Sequence, residues 1–326
     1  MALLLQHDDV VQLVTMDNAI EAMTSVFRLE GEGQTGEPQR FDIPTGRGWL
    51  RLMPVVVQGM NAFGFKAMNL TQKVGVRYAI SVYAVETGEL RGILDARVIT
   101  AMRTAATTAV ATRELAQASV DRTAVIGTGA EARTHVLAMQ AVRPATKIMV
   151  YSRSPENRAQ FIAEMSKDVD GDLIDCASLD EAVAGAQIVV LATKSPEPVL
   201  FARHLEPGMH VNSIGSARTE QFELAVDTFG DFSTIVCDSK AHVFTEAGDA
   251  VAALAEGAAD LADVRNLADL MVDAQPHRTS AEDVTLYKSV GTATQDIALA
   301  SRLLDLAEEA GLGRDLGTFP DLKSFG

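Results

Sequence analysis

The sequence predicts an α/β protein in two domains, one a doubly wound parallel sheet and the other a mainly antiparallel α+β fold. Three observations carry the prediction. Residues 123–126, a short uncharged β-branched and apolar run, lead into Gly127-Thr128-Gly129, then an amphipathic segment over 130–142, then a second apolar run over 147–151. Strand, glycine turn, helix and strand in that order and length make a βαβ unit. Later runs over 188–193, 209–215 and 234–238 have the same buried-strand character and extend a parallel sheet. Ahead of the unit, residues 39–85 break into short strand-like runs typical of an antiparallel sheet.

Taken in order, Ala19, Ile20, Met23, Val26 and Phe27 recur at helical spacing, predicting a helix over 16–29 capped by Thr15 or Asp17 and ended by the stretch from Gly31 to Gly36. Strands follow at 40–43, 49–53, 62–68 and 78–85, and Glu86-Thr87-Gly88-Glu89 reads as a hairpin turn into 90–94. Met102, Ala106, Val110 and Leu115 mark one face of an alanine-rich helix over 100–118 that leads into the βαβ unit. Beyond that unit, helices are expected over 155–167 and 179–184, with a short strand at 174–176. Alanine-rich helices are expected over 247–270, and one long helix over 283–311 returns to the front domain. The expected boundaries are 1–117 with 289–326 for the front domain and 118–288 for the parallel-sheet domain.

The glycine turn carries the first chemical inference. A turn that leaves a strand and opens a helix uses one glycine for backbone freedom, and a second so that a diphosphate can approach the chain without meeting a Cβ. The small residue three on, Ala132, lets the helix lie close to the strand. Free N–H groups and the positive end of the helix dipole then hold the anion. Gly-x-Gly-x-x-Ala also serves plain turns; its place inside a βαβ unit makes this a dinucleotide (Rossmann) site. At the end of the second strand, where the adenosine ribose lies, a carboxylate would favour NAD and a basic group NADP. The chain there reads Ser152-Arg153-Ser154, which favours NADP(H), with NAD(H) the other option.

Composition sets the outer limits. A 326-residue chain that is 47% hydrophobic can build two cores, and a net charge of -16 argues against nucleic-acid or anionic membrane partners. An acidic substrate must therefore be drawn by local cations. Cys176 and Cys237 stand far apart, and neither they nor the histidines have metal-ligand spacing, so no metal and no disulfide framework is expected. No apolar run is long enough to span a bilayer, and the start lacks the basic region and apolar length of a signal peptide, which fits the cytoplasm.

With these pieces assembled, the sequence resembles the ornithine cyclodeaminase and mu-crystallin family over nearly its whole length. The resemblance is carried by Phe63-Gly-Phe-Lys66, Val98-Ile-Thr-Ala-Met-Arg-Thr-Ala-Ala106, Val125-Ile-Gly-Thr-Gly-Ala-Glu-Ala-Arg-Thr-His135, Gly208-Met-His-Val-Asn212, Glu246-Ala-Gly-Asp249, and Leu286-Tyr-Lys-Ser-Val-Gly-Thr-Ala293 with Asp296. It implies a homodimer built through the front domain, a nicotinamide coenzyme, and a small imino or amino acid held in the cleft between domains. The family's catalytic and substrate-clamping cations fall on Arg40, Lys66 and Arg103. Lys66 lies in an otherwise apolar strand and Arg103 in an alanine-rich helix, where a cation needs an anionic partner; each is otherwise an exposed stem or half of an internal ion pair. The coenzyme is expected against Gly127, Thr128, Gly129, Ala130, Glu131, Ser152, Arg153, Ser154, Thr193, Ser213, Ile214, Ser289 and Gly291.

Departures from the family pattern bear on the reaction. Cyclodeaminases carry an acidic residue just after the strand written here Asn212-Ser-Ile-Gly215, whereas this sequence has Ser216-Ala217-Arg218-Thr219. Without that base, cyclodeamination of ornithine is the second choice. The first is hydride transfer from NAD(P)H to the C=N carbon of a 2-imino acid, as in the ketimine reductases that mu-crystallin resembles, with Lys66 or a water giving the proton. A third option, from another class, is a coenzyme-dependent protein that binds a small ligand without turning it over. Arg77-Tyr78-Ala79 replaces small or hydroxyl residues of the family, so Arg77 and Ala79 join the substrate-binding candidates. Either Arg77 or Arg218 holding a second carboxylate would make the substrate a dicarboxylic imine such as iminosuccinate; otherwise both arginines are simply exposed.

Overall fold

The computed structural model describes residues 2–321 and Lys323. In chain order the elements are β1 (Leu3–Leu5), α1 (His7–Leu13), α2 (Met16–Gly31), β2 (Thr35–Gly36), β3 (Phe41–Pro44), β4 (Gly48–Val57), β5 (Ala62–Thr71), β6 (Gly75–Ala84), β7 (Leu90–Asp95) and α3 (Arg97–Leu115). Next come β8 (Arg122–Ile126), α4 (Ala130–Val142), β9 (Lys147–Tyr151), α5 (Pro155–Met165), β10 (Asp172–Asp175), α6 (Leu179–Val183), β11 (Ile188–Leu191), β12 (His210–Ser213) and β13 (Thr234–Cys237). The chain closes with α7 (Lys240–Glu246), α8 (Gly248–Ala255), β14 (Val264–Asn266), α9 (Leu267–Val272), β15 (Thr285–Lys288), α10 (Ala293–Ala310) and β16 (Arg314–Asp315). Two compact units divide at 104/105 and 291/292, the first division falling inside α3 rather than after it.

The first unit is an eight-stranded sheet in the order β16-β1-β7-β6-β5-β4-β2, with β3 paired to β4. Its long meander from β4 to β7 is antiparallel, and β1 pairs with β7 in parallel and with the edge strand β16 antiparallel. The pleat separates two faces. On one, Val55, Met53, Lys66, Ile80, Val82 and Leu94 are buried, and α10 packs over it against β4, β5 and β6, with α2 against α10. On the other, Leu50, Leu52, Pro54, Phe63, Phe65 and Ala67 are only half-buried. Thr15 caps α2 by accepting from Asn18 N at 3.2 Å, which decides between the two candidate caps.

The second unit is an eight-stranded sheet in the order β10-β9-β8-β11-β12-β15-β13-β14, parallel throughout. One core cluster includes Ile126, Val189, Leu191, Val211, Phe229 and Val243; a smaller one gathers Val125, Val136, Val150 and Phe161 under α4 and α5. Strand order reverses between β8 and β11, and in open α/β sheets ligands bind at the carboxyl ends of the strands beside such a reversal.

Two expectations are corrected. The continuous helix over 283–311 is instead β15, central in the parallel sheet, followed by a turn through Gly291 at φ +79 and only then by α10. Thr285, Leu286 and Tyr287 suit a fully buried strand, and residues in the left-handed region stop a helix. The alanine-rich helices over 247–270 are likewise broken by β14. At the chain start, β1 and α1 have no counterpart in the sequence reading; at three and seven residues they are too short for a periodicity to register.

Candidate functional site

The glycine turn of the second unit is shaped by two different demands. Gly127 has φ +118, and a Cβ there would collide with the carbonyl oxygen of Ala192 at the end of β11, so this glycine is required by the protein itself. Gly129 has an ordinary φ of -78, and a Cβ there would meet no protein atom within 4 Å. The space it leaves lies at the start of the 13-residue α4, whose N-cap has no side-chain hydrogen bond. Backbone N–H groups at such a helix end are donors for an anion, and a diphosphate fits the place where the protein provides no capping group. Arg133 pins the loop from behind: its Nη1 donates to Thr128 O at 2.6 Å and Gly129 O at 3.2 Å, while Nη2 pairs with Glu164 at 2.5 Å.

Beyond β9, Thr128 Oγ1 donates to Ser152 Oγ at 3.4 Å, and Ser154 caps α5 by accepting from Asn157 N at 3.2 Å. Arg153 between them is exposed. Arg158 is buried here, donating to Ser152 O at 2.7 Å and paired with Asp175. Glu131 is half-buried and Ala130 exposed in the first turn of α4.

The ends of β11, β12 and β15 are tied by a buried network that sequence reasoning did not find. Glu223 accepts from Thr193 N and Oγ1 at 2.7 and 2.9 Å through one oxygen, and from Ser213 Oγ and Gly215 N at 2.8 and 2.9 Å through the other. Lys288 Nζ donates to Ser213 Oγ at 2.8 Å and to Asp249 at 3.0 Å. Asp249 also accepts from Glu223 N, Leu224 N and Ser216 Oγ. Burial pushes the Glu223 carboxyl above its ordinary range, opposed by Lys288 and by these donors. Thr193, Ser213 and Gly215 are thus held by one carboxylate, while Ile214 N donates to Leu191 O at 3.1 Å. Ser289 N donates to Ser213 O at 3.1 Å and Gly291 N to Asp238 at 2.6 Å, so those two candidates belong to the same end of the sheet. His135 is fully buried, with Nε2 3.0 Å from Thr108 Oγ1 and Nδ1 2.7 Å from Glu131 O.

In the first unit, Lys66 and Arg103 come together on Asp296. Lys66 Nζ donates to both carboxylate oxygens at 3.1 and 3.0 Å. Arg103 Nε donates to Asp296 Oδ1 at 3.1 Å and its Nη1 to Gln295 Oε1 at 2.7 Å. Lys66 is 2% exposed, Arg103 5% and Asp296 0%. The Lys66 pKa falls from 10.5 to about 8, because burial disfavours the ammonium and the charges of Arg103 and Arg40 add to that, together outweighing Asp296. Arg40, just ahead of β3, is also buried and acts on this ammonium through its charge. An added carboxylate is favoured at such a point. The Tyr78 ring lies 5.4 Å from Nζ.

Strand alternation separates the remaining candidates from this cluster. Register pairs Lys66 with Ile80 and Met68 with Tyr78 on one face, which puts Arg77 and Ala79 on the other, where both are exposed. Arg77 and Ala79, the two substrate-binding candidates of this strand, thus share a face with each other but not with Lys66. Arg218 belongs to the second unit and is exposed, 3.7 Å from Glu220. Among the described residues, no group of three or more His, Cys, Asp or Glu is placed to hold a metal ion, and no helix is long and apolar enough to cross a membrane.

Comparison with known proteins gives the family and supports the fold. The family model described as "Ornithine cyclodeaminase/mu-crystallin family" matches residues 1–311. The chain belongs to this family. Among relatives, a Delta(1)-pyrroline-2-carboxylate reductase of Bacillus cereus is 30% identical over 310 residues, covering 92% of this chain and 95% of its own. The ketimine reductase mu-crystallin of Mus musculus is 28% identical over 294 residues, covering 88% and 90%. Among solved structures, Delta(1)-pyrroline-2-carboxylate reductase of Thermococcus litoralis, in complex with NADH and L-proline, superposes with a TM-score of 0.91 at 30% identity, covering 96% of this chain and all of its own.

Within this ornithine cyclodeaminase/mu-crystallin chain, Glu223, Asp249, Lys288, Asp296 and Gln295 were missed as site residues, although a signal existed. Glu223 is flanked by Phe222 and Leu224 and Lys288 follows Leu286-Tyr287, whereas Asp296 follows the polar pair Thr294-Gln295. An ionisable group in an apolar run is the signal that marks Lys66 and Arg103, and Glu223 and Lys288 carry the same signal.

Proposed function

We propose that this protein is an NAD(P)H-dependent reductase that converts a small 2-imino acid into the 2-amino acid, with the second unit binding the coenzyme and the first the imino acid. The hydride goes to the C=N carbon and a proton to the nitrogen, so that imine, NAD(P)H and a proton give amine and NAD(P)+. The bound nicotinamide would supply the hydride. The observation that carries the reading is the buried cluster of Lys66, Arg103 and Asp296: two fixed cations that can grip a carboxylate, one of them with a pKa near neutrality. Arg103 and Arg40 hold the substrate carboxylate, and Lys66, with a pKa of about 8, gives a proton to the nitrogen. The backbone at Gly129 receives the diphosphate, and Thr193 and Ser213, positioned by Glu223, border the nicotinamide half.

The test is a spectrophotometric panel at 340 nm, with cyclic ketimines and then 2-oxo acids plus ammonia, each with NADH and NADPH. Stoichiometric coenzyme oxidation with amino acid formed is the expected result. Ornithine converted to proline with no net coenzyme change, or tight binding without turnover, would overturn the reading.

The coenzyme preference we infer is NADP(H), because exposed Arg153 between Ser152 and Ser154 suits a 2′-phosphate and β9 ends without a carboxylate. Arg153→Ala should raise the Michaelis constant for NADPH about tenfold and leave that for NADH unchanged; a wild-type enzyme working equally well with NADH would remove the inference. We further infer a homodimer formed through the half-buried apolar face of the first sheet, and a cytoplasmic setting in keeping with two free, buried cysteines.

A further inference from the structure

We propose that Glu223 is a positioning residue of the coenzyme site: its carboxylate takes the hydrogen bond of the Thr193 hydroxyl, so that Thr193 meets the coenzyme only as an acceptor, for a hydroxyl of the ribose that carries the nicotinamide. This rests on the reading of the second unit as the coenzyme-binding one, and adds the group that sets the donor and acceptor pattern of its wall. Two glycines place Thr193 beside the diphosphate turn. A Cβ at Gly127 would collide with Ala192 O, and a Cβ at Gly215 would collide with Thr193 O and Glu223 Oε1. Ala192 and Thr193, which follow β11, are therefore wedged between the turn that closes β8 and the turn that follows β12. Gly129, where the protein leaves room for a diphosphate, is two residues on from the first of these contacts. In the sheet β11 lies next to β8 and β12 next to β11, so a dinucleotide that starts at Gly129 and crosses the carboxyl ends of the strands passes Thr193 just beyond its diphosphate.

Around Glu223 the hydrogen bonds all run one way. Thr193 N and Gly215 N can only donate, one to each carboxylate oxygen. Ser213 Oγ receives Lys288 Nζ at 2.8 Å and turns its own proton to Glu223. The Lys288 ammonium and these donors favour the charged form against burial, and a carboxylate only accepts. Thr193 Oγ1 therefore donates to Glu223 as well, at 2.9 Å. A hydroxyl has one proton and two lone pairs, so what Thr193 has left is acceptor capacity. Glu223 and Ser213 are fully buried, whereas Thr193 is half-buried, and among the described residues nothing donates to its hydroxyl. The diphosphate meets the N–H donors of α4, and the next group along meets an acceptor. In a dinucleotide that next group is a sugar bearing hydroxyls, which donate.

The full-length protein is titrated by calorimetry with NADPH, NADH, ADP-ribose and ADP, the last two also with a 2′-phosphate, as wild type, Thr193→Val, Thr193→Ser, Glu223→Gln and Glu223→Asp, and each apo melting temperature is recorded. ADP-ribose keeps the second ribose without the nicotinamide, and ADP lacks both. The wild type should bind ADP-ribose about tenfold more tightly than ADP, the worth of a hydrogen bond to a hydroxyl that a carboxylate polarises. Thr193→Val and Glu223→Gln should remove most of that advantage and leave the Kd for ADP unchanged. Thr193→Ser should keep the advantage, and Glu223→Asp, with its charge on a shorter arm, should lose part of it. A purely structural Glu223 would lower the melting temperature and weaken ADP and ADP-ribose alike; that result, or an advantage undiminished in Thr193→Val, overturns the assignment. A loss confined to NADPH and NADH overturns it too, since it would give the Thr193 hydroxyl to the carboxamide. Should Glu223→Gln fail to fold, Glu223→Asp and the two Thr193 variants decide by the same ratio. If the wild type binds none of these nucleotides, the coenzyme reading falls together with the role of Glu223.

Discussion

Gly127 and Gly129, two residues apart, answer to different partners, and substitution separates them. Gly127→Ala places a Cβ against Ala192 O at a φ of +118, so it should cost on the order of 1–3 kcal/mol of stability, read as a lowered melting temperature without coenzyme. Gly129→Ala has room and an ordinary φ, so the apo melting temperature should stay within a degree or two while the Kd for NADPH, read by fluorescence titration, rises at least tenfold. A Gly129→Ala enzyme that binds coenzyme normally would dissociate the helix end from the diphosphate. Lys66 supports a second prediction. Its folded-state pKa of about 8 lies below the ordinary 10.5, so the ammonium form that binds a carboxylate and gives a proton prevails below pH 8 and is lost above it. The kcat/KM for imine reduction should be level below pH 8 and fall about tenfold per unit above, and Lys66→Met should reduce it roughly a hundredfold or more. A profile flat to pH 10 would remove Lys66 from the reaction. Folding has the complementary dependence: because the unfolded chain holds this proton more tightly, the contribution of Lys66 to stability rises between pH 8 and 10.5.

At the scale of elements, α10 is the part whose placement matters most to the cluster, since it carries Gln295 and Asp296 in its first turn. Its N-cap Thr292 makes no side-chain capping bond; Glu37, far away in sequence, accepts instead from Ala293 N at 2.9 Å and from Thr294 N and Oγ1 at 3.2 and 2.7 Å. Glu37→Ala should cost about 1–2 kcal/mol by denaturant unfolding and raise KM for the imine more than it lowers kcat, because the carboxylate grip loosens before the hydride step is touched. Unchanged stability would mean that water replaces Glu37 as the cap. That remote cap explains what the sequence could and could not tell. The βαβ unit was legible because strand, glycines, helix and strand follow within thirty residues, and α4 and β9 fall where periodicity put them. The start of α10 was not, since its cap comes from residue 37 and the segment before it is a strand whose partners are β12 and β13. Lys66 and Arg103 stood out as charges in apolar runs. Their shared partner Asp296 lies 230 residues from one and 193 from the other, and no local signal joins them. The face that Arg77 takes is illegible for a related reason: the strand can be read, but its register against β5, which decides which side chains share a face with Lys66, is a property of the sheet.

For the molecule as a whole, the two faces of the first sheet pose the remaining question. One is covered by α10. The other presents Leu50, Leu52, Pro54, Phe63 and Phe65 half-buried, bordered by Phe41 at 50% and Ile43 at 45% exposure on β3. An apolar strip across three strands is more than isolated surface hydrophobes, and a stable self-association needs about 800 Å² from each partner. A chain with a net charge of -16 repels its own copies at long range, so association requires an apolar face of this kind to overcome it. Light scattering behind size exclusion should therefore give twice the 34.8 kDa chain mass at micromolar concentration and physiological salt, with dissociation favoured at low ionic strength, where like charges are least screened. Leu52→Asp, in the middle of the strip between Phe41 and Ala67, should give a monomer whose far-UV spectrum is unchanged, because no core residue is altered. A wild-type mass of one chain, or a Leu52→Asp protein that remains paired, would mean that this face is not where two copies meet.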